Sequence, residues 1–160
     1  MGALVLSVAF ALRAPSAYAE VGRAHRPISF ITLGPSCAMG LDGALRFGGE
    51  VALAQYAGGW GLGGVVGFVP GRIYFEVQPA MIFGERLHNI VLGLNPGFVI
   101  DVTSTTPRYG GQATLWGNYV HSGARSWASP LVPFVRVEAV MAAGMVFTGG
   151  LMLKIPIPIS

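Results

Sequence analysis

Along residues 89 to 102, NIVLGLNPGFVIDV, large side chains occupy every second position. Ile90, Leu92, Leu94, Pro96, Phe98, Ile100 and Val102 alternate with Val91, Gly93, Asn95, Gly97, Val99 and Asp101. A strand sends successive side chains to opposite faces, whereas a helix repeats every 3.6 residues, so this spacing predicts a strand with one apolar face. Residues 72 to 83 repeat the pattern, with Ile73, Phe75, Val77, Pro79, Met81 and Phe83 opposite Arg72, Tyr74, Glu76, Gln78 and Ala80. Residues 45 to 54 set Leu45, Phe47, Val51 and Leu53 against Arg46, Gly48, Glu50 and Ala52. Residues 131 to 139 set Leu131, Val135 and Val137 against Arg136 and Glu138, and the last segment sets Phe147, Leu151, Leu153 and Ile155 against Thr148, Gly150 and Lys154. With residues 27 to 36, 60 to 69 and 108 to 121, eight strands are predicted, joined by short turns such as Pro70-Gly71. Eight strands of roughly 10 residues, the length that crosses a bilayer, fill the chain after its first segment.

Two uncharged stretches, residues 51 to 71 and 139 to 153, raise the alternative of membrane helices. The first is long enough to span, but it carries seven glycines, each costing a helix about 1 kcal/mol, and the second is too short. The 24 glycines of the whole chain follow no G-X-Y period, which excludes collagen.

Alternation alone fits a soluble barrel and a membrane barrel equally, so the content of the two faces decides. A soluble lipocalin-like carrier turns charge outward and keeps an apolar interior. Only 11% of this chain is charged, against about 25% in ordinary domains, and the charges gather on one face. That face holds Arg46, Glu50, Arg72, Glu76, Asp101, Arg108, Arg136, Glu138 and Lys154, while the other holds essentially none. Hydrocarbon solvates neither charge nor backbone, so a spanning sheet must close on itself and turn its polar side chains inward. An all-β, antiparallel up-and-down transmembrane barrel of about eight strands is therefore expected. Its interior is only wide enough to be filled by side chains, so a plugged lumen is expected instead of a pore, with Gln78, Gln112, Thr114 and Asn118 completing the polar network. Each glutamate lies near an arginine on its own strand face, as Arg46 with Glu50 and Arg136 with Glu138, which points to structural ion pairs more than to acid–base chemistry.

Aromatic residues fall near the strand ends. Tyr56, Trp60, Phe83, Tyr119 and Trp127 lie toward one set of turns, and Phe47, Phe68, Tyr109 and Phe147 toward the other, as two membrane-interface girdles require. Pro79 and Pro96 sit inside proposed strands, where each removes a ladder donor, and local bulges would accommodate them. At the N-terminus, the apolar block ALVLSVAFAL precedes Ala17-Tyr18-Ala19, a small-residue cleavage pattern. Residues 1 to 19 read as an export signal, and residues 20 to 160 as the barrel domain. From Pro27 to Ile157 the chain resembles the small eight-stranded outer-membrane proteins, the group that includes the OmpX and OmpA transmembrane barrels. The resemblance rests on strand number, dyad pattern and the export signal, and it implies a bacterial outer-membrane location with membrane lipid as the surrounding partner.

Candidate chemistry is sparse. Low charge excludes a nucleic-acid module, and the net charge of +3 is scattered. Cys37, the single cysteine, excludes an intramolecular disulfide framework. Gly59, Gly61 and Gly64 match a dinucleotide fingerprint, yet an extended segment follows where that motif needs a helix. His25, His88 and His121 lie far apart, so neither a metal nor a cofactor is expected. His121 and Ser122, with Glu138 in the next strand, leave open a lipid-modifying enzyme in the manner of lipid A deacylases, although strand neighbours face opposite sides. Residues 122 to 130 form the longest connection, where Arg125 and Trp127 could anchor at headgroups. A structural role in the membrane is the leading expectation, with that enzyme and an exported lipocalin-like carrier as the alternatives.

Overall fold

The alternating segments assemble into a closed antiparallel barrel. A computed structural model describes residues 28–57, 60–85, 88–121 and 127–159, and the side chains of Phe83, His88, His121 and Trp127 lie outside that description. The export signal, His25, Gly59, Ser122 and Arg125 also lie outside the described residues. The strands are β1 (Ile28–Gly40), β2 (Leu45–Ala57), β3 (Trp60–Val69), β4 (Arg72–Val77), β5 (Ala80–Glu85), β6 (His88–Asp101), β7 (Arg108–His121), β8 (Trp127–Ala128), β9 (Leu131–Val140), β10 (Gly144–Leu153) and β11 (Ile155–Ile159). No helix occurs among the described residues. β4 and β5 continue one another along a single stave, as do β8 with β9 and β10 with β11, so the eleven strands make eight staves. β1 pairs with both β2 and β10, which closes the sheet.

The stagger of the barrel can be read from cross-strand partners. Ile28 pairs with Tyr56, Tyr56 with Gly61, Gly61 with Ala80, and Ala80 with Gly93. Gly93 pairs with Trp116, Trp116 with Phe134, Phe134 with Gly150, and Gly150 with Ala38. One circuit therefore returns to β1 ten residues beyond its start, and a closed sheet with such a stagger must tilt its strands. Along this circuit the large side chains Tyr56, Trp116 and Phe134 are offset by Gly61, Ala80, Gly93, Gly150 and Ala38, which is how a narrow barrel fits aromatic rings inside.

The prolines act differently from expectation. Pro79 and Pro96 produce no bulge, because β6 keeps one register against β4 and β5 on both sides of the gap. The amide of Gln78 bonds the Gly63 carbonyl of β3 at 2.7 Å, so the flanking residues 77 and 79 turn toward β6. The β6–β7 ladder runs unbroken through Pro96. Both missing donors thus fall into one gap between the β4–β5 stave and β6, and the ladders on the far sides stay intact. The register slips instead at Pro130 to Pro133. Val120 pairs with Ala128, but Trp116 pairs with Phe134, so two extra residues enter the β8–β9 stave.

Candidate functional site: the barrel interior

Side chains alternate across the wall as strand geometry requires. In β2, Glu50, Ala52, Ala54 and Tyr56 are buried while Val51, Leu53 and Gln55 are exposed. In β9, Val132, Phe134, Arg136, Glu138 and Val140 point inward. Of the expected interior residues, Glu50, Glu76, Gln78, Asp101, Gln112, Thr114, Arg136, Glu138 and Lys154 are buried. Arg46, Arg72, Arg108 and Asn118 are half-buried.

Tyr56 departs from the expected girdle. It is 3% exposed and packs edge-on against Phe30 at 6.0 Å between ring centroids, inside the barrel. The reason is parity: Tyr56 is six residues from Glu50 on the same strand face, and that face turns inward. Trp60 and Tyr109 do point outward, at 62% and 53% exposure, and so do Tyr119, Phe47, Phe68 and Phe147.

Three of the ion pairs, Lys154–Glu50, Arg136–Glu76 and Arg72–Glu138, join staves that are not neighbours in the sheet. Lys154 Nζ lies 2.9 Å from Glu50 Oε1, and Arg136 Nε lies 3.8 Å from Glu76 Oε1. Arg72 pairs with Glu138 and, at 3.4 Å, with Asp101. Arg46 turns to Asp42 in the first turn, at 2.7 Å. The expected pairs Arg46–Glu50 and Arg136–Glu138 do not form. Side chains two apart on a strand stand roughly 7 Å apart and parallel, so partners on facing staves are nearer.

Seven of these side chains close a ring. The Tyr74 hydroxyl donates to Glu50 at 3.3 Å, and Glu50 holds Lys154. The Lys154 ammonium sits 4.9 Å from the centroid of the Trp116 ring, and Trp116 Nε1 donates to Asn95 Oδ1 at 2.9 Å. Asn95 Nδ2 donates to Glu76 at 3.1 Å, and the guanidinium of Arg136, paired with Glu76, stacks 3.9 Å over Tyr74. Gln112 and Thr114 add two donors to Glu76 Oε1 at 2.5 Å, and Arg136 Nε donates to Thr114 at 2.8 Å. Charges shielded from water are tolerable only when paired and hydrogen-bonded in this way. Sequence reasoning did not place Trp116 inside, although it shares the parity of Gln112 and Thr114. It also missed Asp42, whose pairing depends on the turn.

The rings inside are made possible by glycines facing them. Tyr56 pairs with Gly61, Tyr74 with Gly67, and Trp116 with Gly93. A Cβ on any of the three would meet the facing ring at 2.0 to 2.4 Å.

Other candidate chemistry is not assembled. Glu138 pairs with Gln112, nine residues along β7 from His121, or about 30 Å at 3.3 Å per residue. His121 and Glu138 are therefore too far apart along the wall to share a site, and Ser122 lies outside the described residues. Gly61 and Gly64 lie within β3, which runs into a turn and another strand where a nucleotide motif needs a helix. Among the described residues no group of three or more His, Cys, Asp or Glu is placed to hold a metal.

No protein-family model matches the chain, and no curated protein matches it. Among solved structures, the chain is similar to the crystal structure of Ail, the attachment invasion locus protein of Yersinia pestis, at 14% identity and a TM-score of 0.39, over 82% of this chain and 99% of that one.

Proposed function

We propose that this chain is an integral barrel of the bacterial outer membrane with a structural role, exported by the segment at residues 1 to 19, its outer wall in lipid and its lumen filled. One observation carries the reading: among the charged residues whose side chains are described, which leave out Glu85, Asp42 is the only exposed one, and it lies in a turn. Large apolar side chains are exposed on stave after stave, including Leu53, Leu62, Val66, Leu94, Leu115 and Val135. Soluble monomers rarely expose apolar patches beyond a few hundred Å². A wall apolar on its outside, with ionised groups within, suits hydrocarbon and would precipitate in water. The filled lumen is supported by the ring from Tyr74 through Lys154 and Glu76 to Arg136, which crosses the interior between facing staves. The outward aromatics Trp60, Tyr109 and Tyr119 suit the two headgroup levels, and Phe83 and Trp127 share that reading from sequence position.

Single-tryptophan proteins in vesicles containing brominated lipid test this reading. Trp60 fluorescence falls strongly and Trp116 fluorescence is unaffected, and the folded protein migrates faster than the boiled protein in dodecyl sulfate gels. Equal quenching of the two, or a mature protein that stays soluble without detergent, would overturn it.

A further inference from the structure

At the end of the barrel bounded by the turn Pro70-Gly71 and the connection from Val102 to Pro107, the interior opens into a cavity of about 220 Å³. Three guanidinium groups, of Arg46, Arg72 and Arg136, line it, with Glu138 as the carboxylate in its wall and the buried residues Ser36 and Thr148 adding hydroxyls. Asp42 and Asp101, which pair with Arg46 and Arg72, do not line the space.

The hydrogen-bond inventory of the arginines is incomplete on this side. Arg136 is 2% exposed, and its Nε and ring face are committed to Thr114, Glu76 and Tyr74, but its Nη2 is buried without a partner. Arg46 gives Nη2 to Asp42 while its Nη1 is likewise buried without a partner. A buried donor left unpaired is costly, and the penalty is larger for a charged group. Each arginine already holds a carboxylate, Arg46 with Asp42, Arg72 with Asp101 and Glu138, and Arg136 with Glu76, so what the wall offers a ligand is the unpartnered N–H donors of Arg46 and Arg136. Guanidinium groups match the oxygens of phosphate-like anions in geometry as well as in charge. The space exceeds that of several water molecules, so a tetrahedral anion fits with part of its hydration.

We infer that this vestibule binds a tetrahedral oxyanion of the phosphate class, clamped between Arg46 and Arg136, from free phosphate or from a phosphorylated lipid headgroup. The inference goes beyond the structural role proposed above and stands whether or not the outer wall lies in lipid. A cation is disfavoured because the unpartnered groups of the two clamping arginines are N–H donors, which need an acceptor.

Calorimetric titration of the folded, detergent-solubilised protein with inorganic phosphate tests it. Saturable one-to-one binding is expected, weakening as sodium chloride is added and competed by sulfate. Arg46→Gln, at the half-exposed edge of the site, lowers affinity at least fivefold. Glu138→Gln removes the opposing charge and raises affinity severalfold, an opposite sign that general damage to the fold would not produce. Heat-modifiable migration verifies that each variant is folded. A second arm uses a micelle-free, short-chain phosphatidic acid: competition at lower concentration than phosphate assigns the site to a headgroup, and its failure with phosphate binding retained assigns it to the free anion. Absence of saturable phosphate binding, or a Glu138→Gln protein that binds no tighter, would sink the inference.

Discussion

Gly93 and Trp116 face each other across β6 and β7, and a Cβ at residue 93 would lie 2.4 Å from the indole nitrogen. The indole cannot move aside freely, because Nε1 donates to Asn95 and the ring carries the Lys154 ammonium above it. Gly93→Ala therefore lowers stability by about 1–3 kcal/mol through overpacking, read as a lower urea midpoint in gel-shift unfolding, and it changes the near-ultraviolet circular dichroism of the buried indole. An unchanged midpoint would show that the ring has room to relax. The glycine at residue 93 is visible in the sequence as a small residue on the inward face. Which ring it accommodates is not, because the partner, 23 residues further along the chain, is fixed by the register between β6 and β7.

At the scale of a strand, what a proline costs depends on which neighbour it faces. Pro96 leaves the β6–β7 ladder intact and opens only toward Val77 and Pro79, where a donor is already missing. Pro96→Ala should thus restore one ladder bond, worth about 0.5–1.5 kcal/mol, while freeing the unfolded chain by about 0.4–1 kcal/mol. These terms nearly cancel, so stability is expected to move by less than about 1 kcal/mol. The informative readout is hydrogen exchange: the new amide at residue 96 becomes protected and the cross-strand contacts of its neighbours stay in register. Rapid exchange at that amide would place the gap elsewhere. Sequence alone located both prolines in strands but assigned them bulges. The two-residue slip at Pro130 to Pro133 escaped it because alternation resumes with the same parity after two extra residues, which leaves no trace in the pattern.

For the molecule as a whole, the outward face sets the solvent. Leu115 lies midway along β7 and is exposed, whereas Leu45 is exposed at the first position of β2 beside a turn. With the barrel in a bilayer, Leu115→Arg costs about 2–4 kcal/mol and Leu45→Arg about 0–1 kcal/mol, measured by urea unfolding from vesicles. A soluble barrel would reverse the sense of this comparison or erase it, since an arginine on a wetted wall is nearly neutral. The interior has its own logic at this scale. Its charges are joined across the circumference, Glu50 on β2 to Lys154 between β10 and β11, and Arg72 on β4 to Glu138 on β9. Such links join staves that are distant in sequence, inside a ring that the backbone ladder between β1 and β10 closes.

Alternation every two residues, with charge confined to one parity, was enough to settle eight staves, their approximate limits and the inward side of the charged residues. The same parity points Tyr56 inward, but its nearness to a strand end assigned it to the interface, and the structure corrects that. Periodicity is a local property, and it survives in the sequence because each strand must present one face to each environment. Pairing is not local. The partners of Glu50, Glu76 and Glu138, the ring through Trp116 and Tyr74, and the vestibule among three arginines came only with closure, because a stagger of ten residues decides which inward side chains share a level, and no single strand encodes it.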